Sequence, residues 1–302
     1  VQLMWHFNVP TSESVTPGTD GSGVTCSPEQ TTFKAANALV ADTWENKWFY
    51  GQMERVADVL LQLQQKGVSA VWRPFHEAAG NAELKSGASW GKSWFWWGEG
   101  GATTYRALWQ AMFDYFQQRG VHNLIWVWTT QNYNGDATQY NDDSAWYPGD
   151  QYVDIIGRDL YGSNAEQNKQ EFDEITARYP GKLVALAECG NSGDSPFSNI
   201  SEIWNAGAKW AWFCPWYGNN MPSEAWWKDA MSQDFVISRD DVNLNVTYLE
   251  ESAVAAVKNM GLGFNLGNTL DAHGDYIPNN LTDVSRYETC WGQPVATQEQ
   301  IN

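Results

Sequence analysis

The sequence predicts an α/β fold on a parallel sheet: a (β/α)8 TIM barrel, incomplete at its N-terminus, with about six of eight units present. A new helix and strand, the beginning of a second domain, follow it. Three observations carry this reading. Strand-like and helix-like segments alternate over the first 235 residues. The strand-like segments are mostly apolar, as strands buried on both faces are. Several of them end on polar or aromatic side chains, and the C-terminal ends of barrel strands are where functional groups stand. A closed barrel needs eight units, so two are expected to precede Val1. A doubly wound open sheet is the competing architecture, but no Gly-rich phosphate fingerprint follows any strand.

Each element has a local reason. "VQLMWHF" reads as a strand. Pro10 to Gln30 is a polar Gly/Ser/Thr stretch, longer than a routine connection, and is expected to be functional or mobile. "MERVADVLLQLQQKG" sets apolar residues at helical spacing and stops on Gly67. "VSAVWRPFHE" is the next strand and "TYRALWQAMFDYFQQRG" an amphipathic helix that stops on Gly120. "NLIWVWTTQN" and "YVDIIGRDLYG" are strands, and "KQEFDEITARYPG" is a helix ended by Pro180-Gly181. "KLVALAECG" is a strand, "SEIWNAG" a short helix, "AKWAWFCPW" a strand and "PSEAWWKDAMSQ" a helix. The domain is read as residues 1–235. A linker occupies 236–246, and a second domain opens at 247–302 with the helix "TYLEESAVAAVKNMG" and the strand "LGFNLGNTL". That second piece stops too soon to fold by itself.

Composition excludes some partners. The 302 residues hold 36 Asp and Glu against 18 Lys and Arg, a net charge of -18. Nucleic acid is excluded, because phosphate binding needs clustered cations. No apolar run approaches the ~20 residues of a spanning helix. The 19 Trp, with 13 Tyr and 12 Phe, allow two readings. One is a rigid aromatic core. The other is a cleft whose flat faces suit the C–H faces of sugars. Cys26, Cys189, Cys214 and Cys290 are widely spaced, and the four His are not at metal spacing, so no metal or cofactor is expected. Cys189 and Cys214 lie in apolar runs and read as buried free thiols.

The strand ends carry the chemistry. They are His6 and Asn8; Arg73, His76 and Glu77; Gln131 and Asn132; Asp159 and Tyr161; Glu188; and Trp216. Glu77 and Glu188 stand three strands apart in this reading, which in a barrel sets them across the open end from one another. Glycoside hydrolysis needs such a pair. One carboxyl protonates the leaving oxygen, so it has to be protonated near neutral pH. The other attacks the anomeric carbon at about 5–5.5 Å from the first, or activates water at about 6.5–9.5 Å. The plain alternative is that either Glu is an ion-pair partner, for instance of Arg73.

"RPFHE", "WFWWG" (Trp94 to Gly98), "YPGDQYVDIIGRDLYG" and "ALAECG", in that order, resemble the glycoside hydrolase family 26 β-mannanases over about Val1 to Gln233. By that resemblance Glu77 is the acid/base and Glu188 the nucleophile. His6 and His76 line the sugar site beside the cleavage point. Tyr161 hydrogen-bonds the nucleophile. Trp94 and Trp216 are aromatic platforms for sugar rings. Asn132, Arg73 and Asp159 support the site. "AAGNAELKSGASWGKS" is longer than the family's spacer, which leaves Trp96 and Trp90 as alternatives to Trp94. Cys189 also departs from the residues usual after the nucleophile, and reads as a packed thiol. The tail, "MGLGFNLGNTLDA" with "ETCWGQP", resembles the opening of a family 5 cellulase-type domain, which implies the opening helix and strand of a second barrel. That domain's acid and nucleophile would lie beyond Asn302.

The resemblance implies a retaining endo-β-1,4-mannanase acting on plant cell-wall mannan or glucomannan. In the parent protein a family 5-like domain is covalently linked behind it, and the enzyme is secreted, periplasmic or at the cell surface. Within the family the alternative is a β-glucanase of the lichenase type or a β-1,3-xylanase. From another class it is a non-catalytic carbohydrate-binding protein, which has no need of an acid and a nucleophile. A purely structural protein predicts no polar strand ends. Two missing strands leave exposed sheet edges, so the 302-residue piece is expected to be poorly stable or inactive by itself.

Overall fold

The computed structural model describes residues 1–80, 93–130, 143–238 and 241–242. They fall into two compact units, one of Val1–Ala78 with 93–123 and one of 79–80 with 124–130, 143–238 and 241–242. The tail read as a second domain, with most of the linker, lies outside the described residues.

In the first unit, β1 (Gln2–Trp5) runs parallel to β4 (Ala70–Pro74), with Met4 beside Arg73 and Trp5 beside Pro74. Helix α1 (Trp44–Gln65) joins them and buries Phe49, Met53, Ala57 and Leu60. Their spacing of four, four and three is one helix face. Thr43 caps α1 by accepting from the Asn46 amide at 3.1 Å, a contact worth about 1 kcal/mol. The helix therefore begins well before the Met53 that the apolar periodicity marks. Next come the single turn α2 (Trp96–Glu99) and α3 (Gly101–Gln118), which buries Tyr105, Leu108, Trp109, Met112 and Phe116.

One expectation gains detail here and one changes. The Pro10–Gln30 stretch is a folded flap, with β2 (Val9–Pro10) antiparallel to β3 (Val24–Thr25) and a 3-10 turn at Pro28–Gln30. Its polar side chains tie it down locally. The Asp20 carboxylate accepts from the Ser22 amide and hydroxyl, and Thr31 Oγ1 donates to the Pro10 carbonyl. Strand β4 also ends at Pro74 rather than at Glu77. Pro74 has no N–H to continue a ladder, and Phe75 and Glu77 take positive φ of 49° and 48°.

In the second unit, β5 (Leu124–Thr130), β6 (Ile155–Tyr161), β7 (Leu183–Gly190) and β8 (Phe213–Pro215) form a parallel ladder in chain order. Helices α4 (Ala165–Arg178), α5 (Ile200–Ala206) and α6 (Glu224–Met231) follow β6, β7 and β8. Asn164 opens α4 through a capping box with Gln167, and the Ser223 hydroxyl caps α6. Arg158 turns away from the β6 face that carries Asp159 and pairs with Glu171 of α4 at 2.9 Å. Both members of that pair are buried. Strand β8 is much shorter than the apolar run "AKWAWFCPW". Trp210 and Trp212 of that run are buried without joining the strand.

Each unit therefore has the parallel strands and intervening helices expected of barrel segments. Much of the Trp is core: Trp96, Trp97, Trp109 and Trp128 are among the largest fully buried side chains. No helix among the described residues is long and apolar enough to cross a membrane.

Candidate active site

The first unit's candidate residues gather where β1 and β4 end. Glu77 is half-buried on a left-handed backbone, and Phe75 shares that strained conformation two residues earlier. Such positions cost roughly 1–3 kcal/mol each and persist only when their surroundings hold them. Here buried donors do so. Tyr105 Oη donates to the Phe75 carbonyl at 3.2 Å, and Trp97 Nε1 donates to the His76 carbonyl at 2.9 Å. Trp96 Nε1 donates to the Phe7 carbonyl at 2.5 Å, just beyond β1. Gly98 closes the "WFWWG" motif because a Cβ there would stand 1.8 Å from the Ala78 carbonyl oxygen. The motif is thus a clamp on two strand ends.

Arg73 is 1% exposed, and its Nη1 donates to Met4 Sδ at 2.8 Å. His76 is 2% exposed and meets His6 edge-on, with ring centroids 4.7 Å apart. Burial, then the Arg73 and His6 charges, hold His76 well below its ordinary pKa of 6.5, so it is neutral at physiological pH.

The second unit's candidates lie at the ends of β6, β7 and β8. Tyr161 Oη donates to Glu188 Oε2 at 2.7 Å, and Glu188 is 4% exposed. Asp159 is buried and lies in register with Glu188. That register depends on an extra residue in β7. The step from Arg158 to Asp159 matches two steps from Leu186 to Glu188, and Phe213 to Pro215 matches three steps from Leu186 to Cys189. A bulge of this kind re-aims a side chain, and here the side chain that follows it is Glu188. Gly190 is also required, since a Cβ there would lie 2.4 Å from the Asn220 carbonyl oxygen. The Trp216 amide donates to the Cys189 carbonyl at 2.7 Å, which fixes that half-buried Trp just past β8. Cys189 is buried, and its thiol is pushed well above the usual 9.0 by burial and by Cys214, Asp159 and Glu188. Cys214, expected to be buried, is half-exposed.

The structure therefore brings His6, His76, Glu77 and Arg73 together at one cluster of strand ends. It gathers Asp159, Tyr161, Glu188 and Trp216 at another. Trp94 is half-buried ahead of α2. Trp96 cannot replace it as a sugar platform, because it is wholly buried and bonded to the Phe7 carbonyl. Asn132, Gln131 and Trp90 lie outside the described residues. Sequence reasoning missed Trp97 and Tyr105, which hold the backbone leading to Glu77. The available signal was a pair of adjacent Trp beside a Gly, more apolar bulk than a solvent-facing loop carries.

With this geometry in hand, the chain can be placed: residues 1–241 match the glycosyl hydrolase family 26 profile, and the chain belongs to that family. Among solved structures it is similar to the family 26 domain of an endo-β-mannanase/endo-β-glucanase from Prevotella bryantii. The two are 59% identical, over 80% of this chain and 72% of that one, with a TM-score of 0.77. The longer structure of that Prevotella protein matches 99% of this chain and 43% of its own, with a TM-score of 0.78. A mannan endo-1,4-β-mannosidase of Thermothelomyces thermophilus is 28% identical over 254 residues, covering 80% of this chain and 46% of the relative. The chain thus spans less than half of that curated relative.

Proposed function

We propose that this chain carries the catalytic centre of a retaining endo-β-1,4-mannanase. The observation that carries the reading is the Tyr161–Glu188 hydrogen bond at the bulged end of β7, in a member of family 26. Glu77 protonates the glycosidic oxygen while Glu188 attacks the anomeric carbon. The glycosidic C–O bond breaks, the leaving sugar departs with the proton of Glu77, and a glycosyl ester remains on Glu188. Water then passes a proton to Glu77 as its oxygen attacks the same carbon, and Glu188 leaves as a carboxylate. Two inversions give net retention. The reaction needs the two carboxyls about 5–5.5 Å apart, and a (β/α)8 barrel is the frame we propose for that spacing. Protons and charge balance between two carboxyls and one water, with no metal or cofactor.

His6, His76 and Asn132 are proposed to hold the sugar hydroxyls, and Trp94 and Trp216 to stack on the rings. The names of the relatives support mannan or glucomannan as substrate. A cell-wall polymer has to be met outside the cytoplasm, which supports a secreted, periplasmic or cell-surface protein. Residues 247–302 are proposed to open a family 5-like domain behind the 236–246 linker. The match of the longer Prevotella structure to 99% of this chain supports that.

The test is turnover by the full-length protein on mannan, glucomannan, lichenan, β-1,3-xylan and cellulose, alongside Glu77→Ala and Glu188→Ala. Mannan and glucomannan should be cleaved with retention, and each variant should lose on the order of 10^3-fold or more in kcat. Full activity in both variants sinks the assignment. Preference for lichenan or xylan moves it within the family, and binding without turnover makes the protein a carbohydrate binder.

A further inference from the structure

Phe95 is a residue that the proposed mechanism does not use. Its ring stacks on Trp97 with centroids 4.4 Å apart and planes 13° off parallel. It also meets the His76 ring at 4.8 Å and the His6 ring at 5.9 Å, tilted by 52° and 68°. Trp96 and Trp97 are wholly buried and His76 is 2% exposed, yet Phe95 among them keeps part of its surface open. Trp97 stacks on one face of the ring, and the two imidazoles pack against it at tilted angles.

Local structure does not account for a Phe at this position. Phe95 is the N-cap of α2, at φ -122° and ψ 151°, and its side chain makes no capping hydrogen bond. Ser, Thr, Asp and Asn are favoured there because their oxygens accept from the first free amides. Breaks of a local rule are expected at functional or strained sites. The imidazoles supply the second half of the argument. His76 Nδ1 is buried and has no hydrogen-bond partner among the described residues. A buried polar atom in that condition calls for a partner, which water or a bound hydroxyl can supply.

We propose that Phe95 is a substrate-contacting residue, the apolar wall of the sugar subsite lined by His6 and His76. A pyranose ring has an apolar C–H face and a polar rim of hydroxyls. The open part of Phe95 suits the first, and His76 Nδ1 suits the second. Trp97 acts through Phe95 by fixing the plane of its ring. The inference rests on the mannanase reading, because it takes the ligand at this site to be a sugar.

The experiment compares Phe95→Ala, Phe95→Leu and Phe95→Tyr in the full-length protein. It measures kcat and KM on mannotetraose, mannotetraose affinity in a Glu188→Ala background, and thermal melting of every variant. Phe95→Ala should lower kcat/KM, and weaken binding, by about ten-fold. Phe95→Tyr, which keeps the flat ring, should lose least, and Phe95→Leu should fall between it and Phe95→Ala. Leu keeps the apolar packing and removes the flat face, so a fully active Leu variant makes the ring's role packing and overturns the proposal. Phe95→Ala with unchanged kcat/KM and affinity also overturns it. If Glu77→Ala and Glu188→Ala are inactive in that case, the mannanase reading stands without Phe95. A wild-type protein that neither binds mannotetraose nor cleaves mannan overturns both.

Discussion

At the scale of single residues, the site depends on a few buried polar groups whose partners are named. The Tyr161 hydroxyl is the clearest. A hydrogen bond to a charged acceptor is worth about 1.5–3 kcal/mol. Tyr161→Phe should therefore lower kcat/KM by about 10- to 100-fold while the protein melts at nearly the same temperature. Unchanged kinetics would show that Glu188 needs no help from the phenol. His76 makes a prediction about pH. Its folded pKa lies well below the ordinary 6.5, mainly through burial, with Arg73 and His6 adding to it. Below pH 6.5 the unfolded chain takes up a proton that the folded protein refuses, so stability is full above 6.5 and declines as pH falls toward the lowered value. Between pH 7 and pH 5 the melting temperature of the wild type should drop more than that of His76→Gln. Equal slopes would mean that His76 is not the group responsible. Of these residue features, the strand-end positions of Glu188 and Tyr161 could be read from the apolar runs before them. The pairing of their atoms came only as what the family resemblance implies, because it depends on the register of two strands distant in sequence.

At the scale of elements, two devices aim the candidate catalytic side chains. One is the aromatic clamp. Trp97 Nε1 and Tyr105 Oη hold the carbonyls of a turn in which Phe75 and Glu77 sit at positive φ. Trp97→Phe keeps most of the ring and removes the donor. It should cost about 0.5–1.5 kcal/mol, seen as a lower denaturation midpoint, together with a loss of kcat as the Glu77 turn relaxes. A drop in stability with kcat untouched would confine the clamp to folding. The other device is the bulge in β7 that brings Asp159 and Glu188 into register. Beneath it, the buried Arg158–Glu171 pair ties β6 to α4. Arg158→Met would leave Glu171 buried without its cation and should destabilise the protein by about 3–5 kcal/mol in chemical denaturation. A change under 1 kcal/mol would mean that Glu171 finds water or another partner. The helices and most strands were legible from apolar spacing. The bulge was not, since an extra residue in "ALAECG" looks like any other apolar position. The early end of β4 had one visible cause, Pro74, and one invisible cause, the left-handed turn after it.

At the scale of the whole molecule, the net charge of -18 spreads repulsion over the surface. Raising ionic strength from about 0.01 M to 0.15 M shortens the screening length from about 30 Å to about 8 Å, so the melting temperature should rise with added sodium chloride. A flat response would mean that the acidic groups are spaced too widely to strain the fold. The sequence by itself determined the class of the molecule. Apolar strands alternating with amphipathic helices demand a parallel sheet covered by helices. Four motif blocks in order mark the family, and two Glu at or just past strand ends carry the chemistry we propose. These signals are local, carried by residues next to one another in the chain. Only the tertiary structure decided which Trp are core and which stay open, that Pro10–Gln30 is a folded flap, and that a bulge in β7 sets Glu188 in register with Asp159. Only it turned Phe95 toward two histidines. Burial, strand register and side-chain contact depend on segments far apart in sequence, and a chain read in one dimension does not contain those distances.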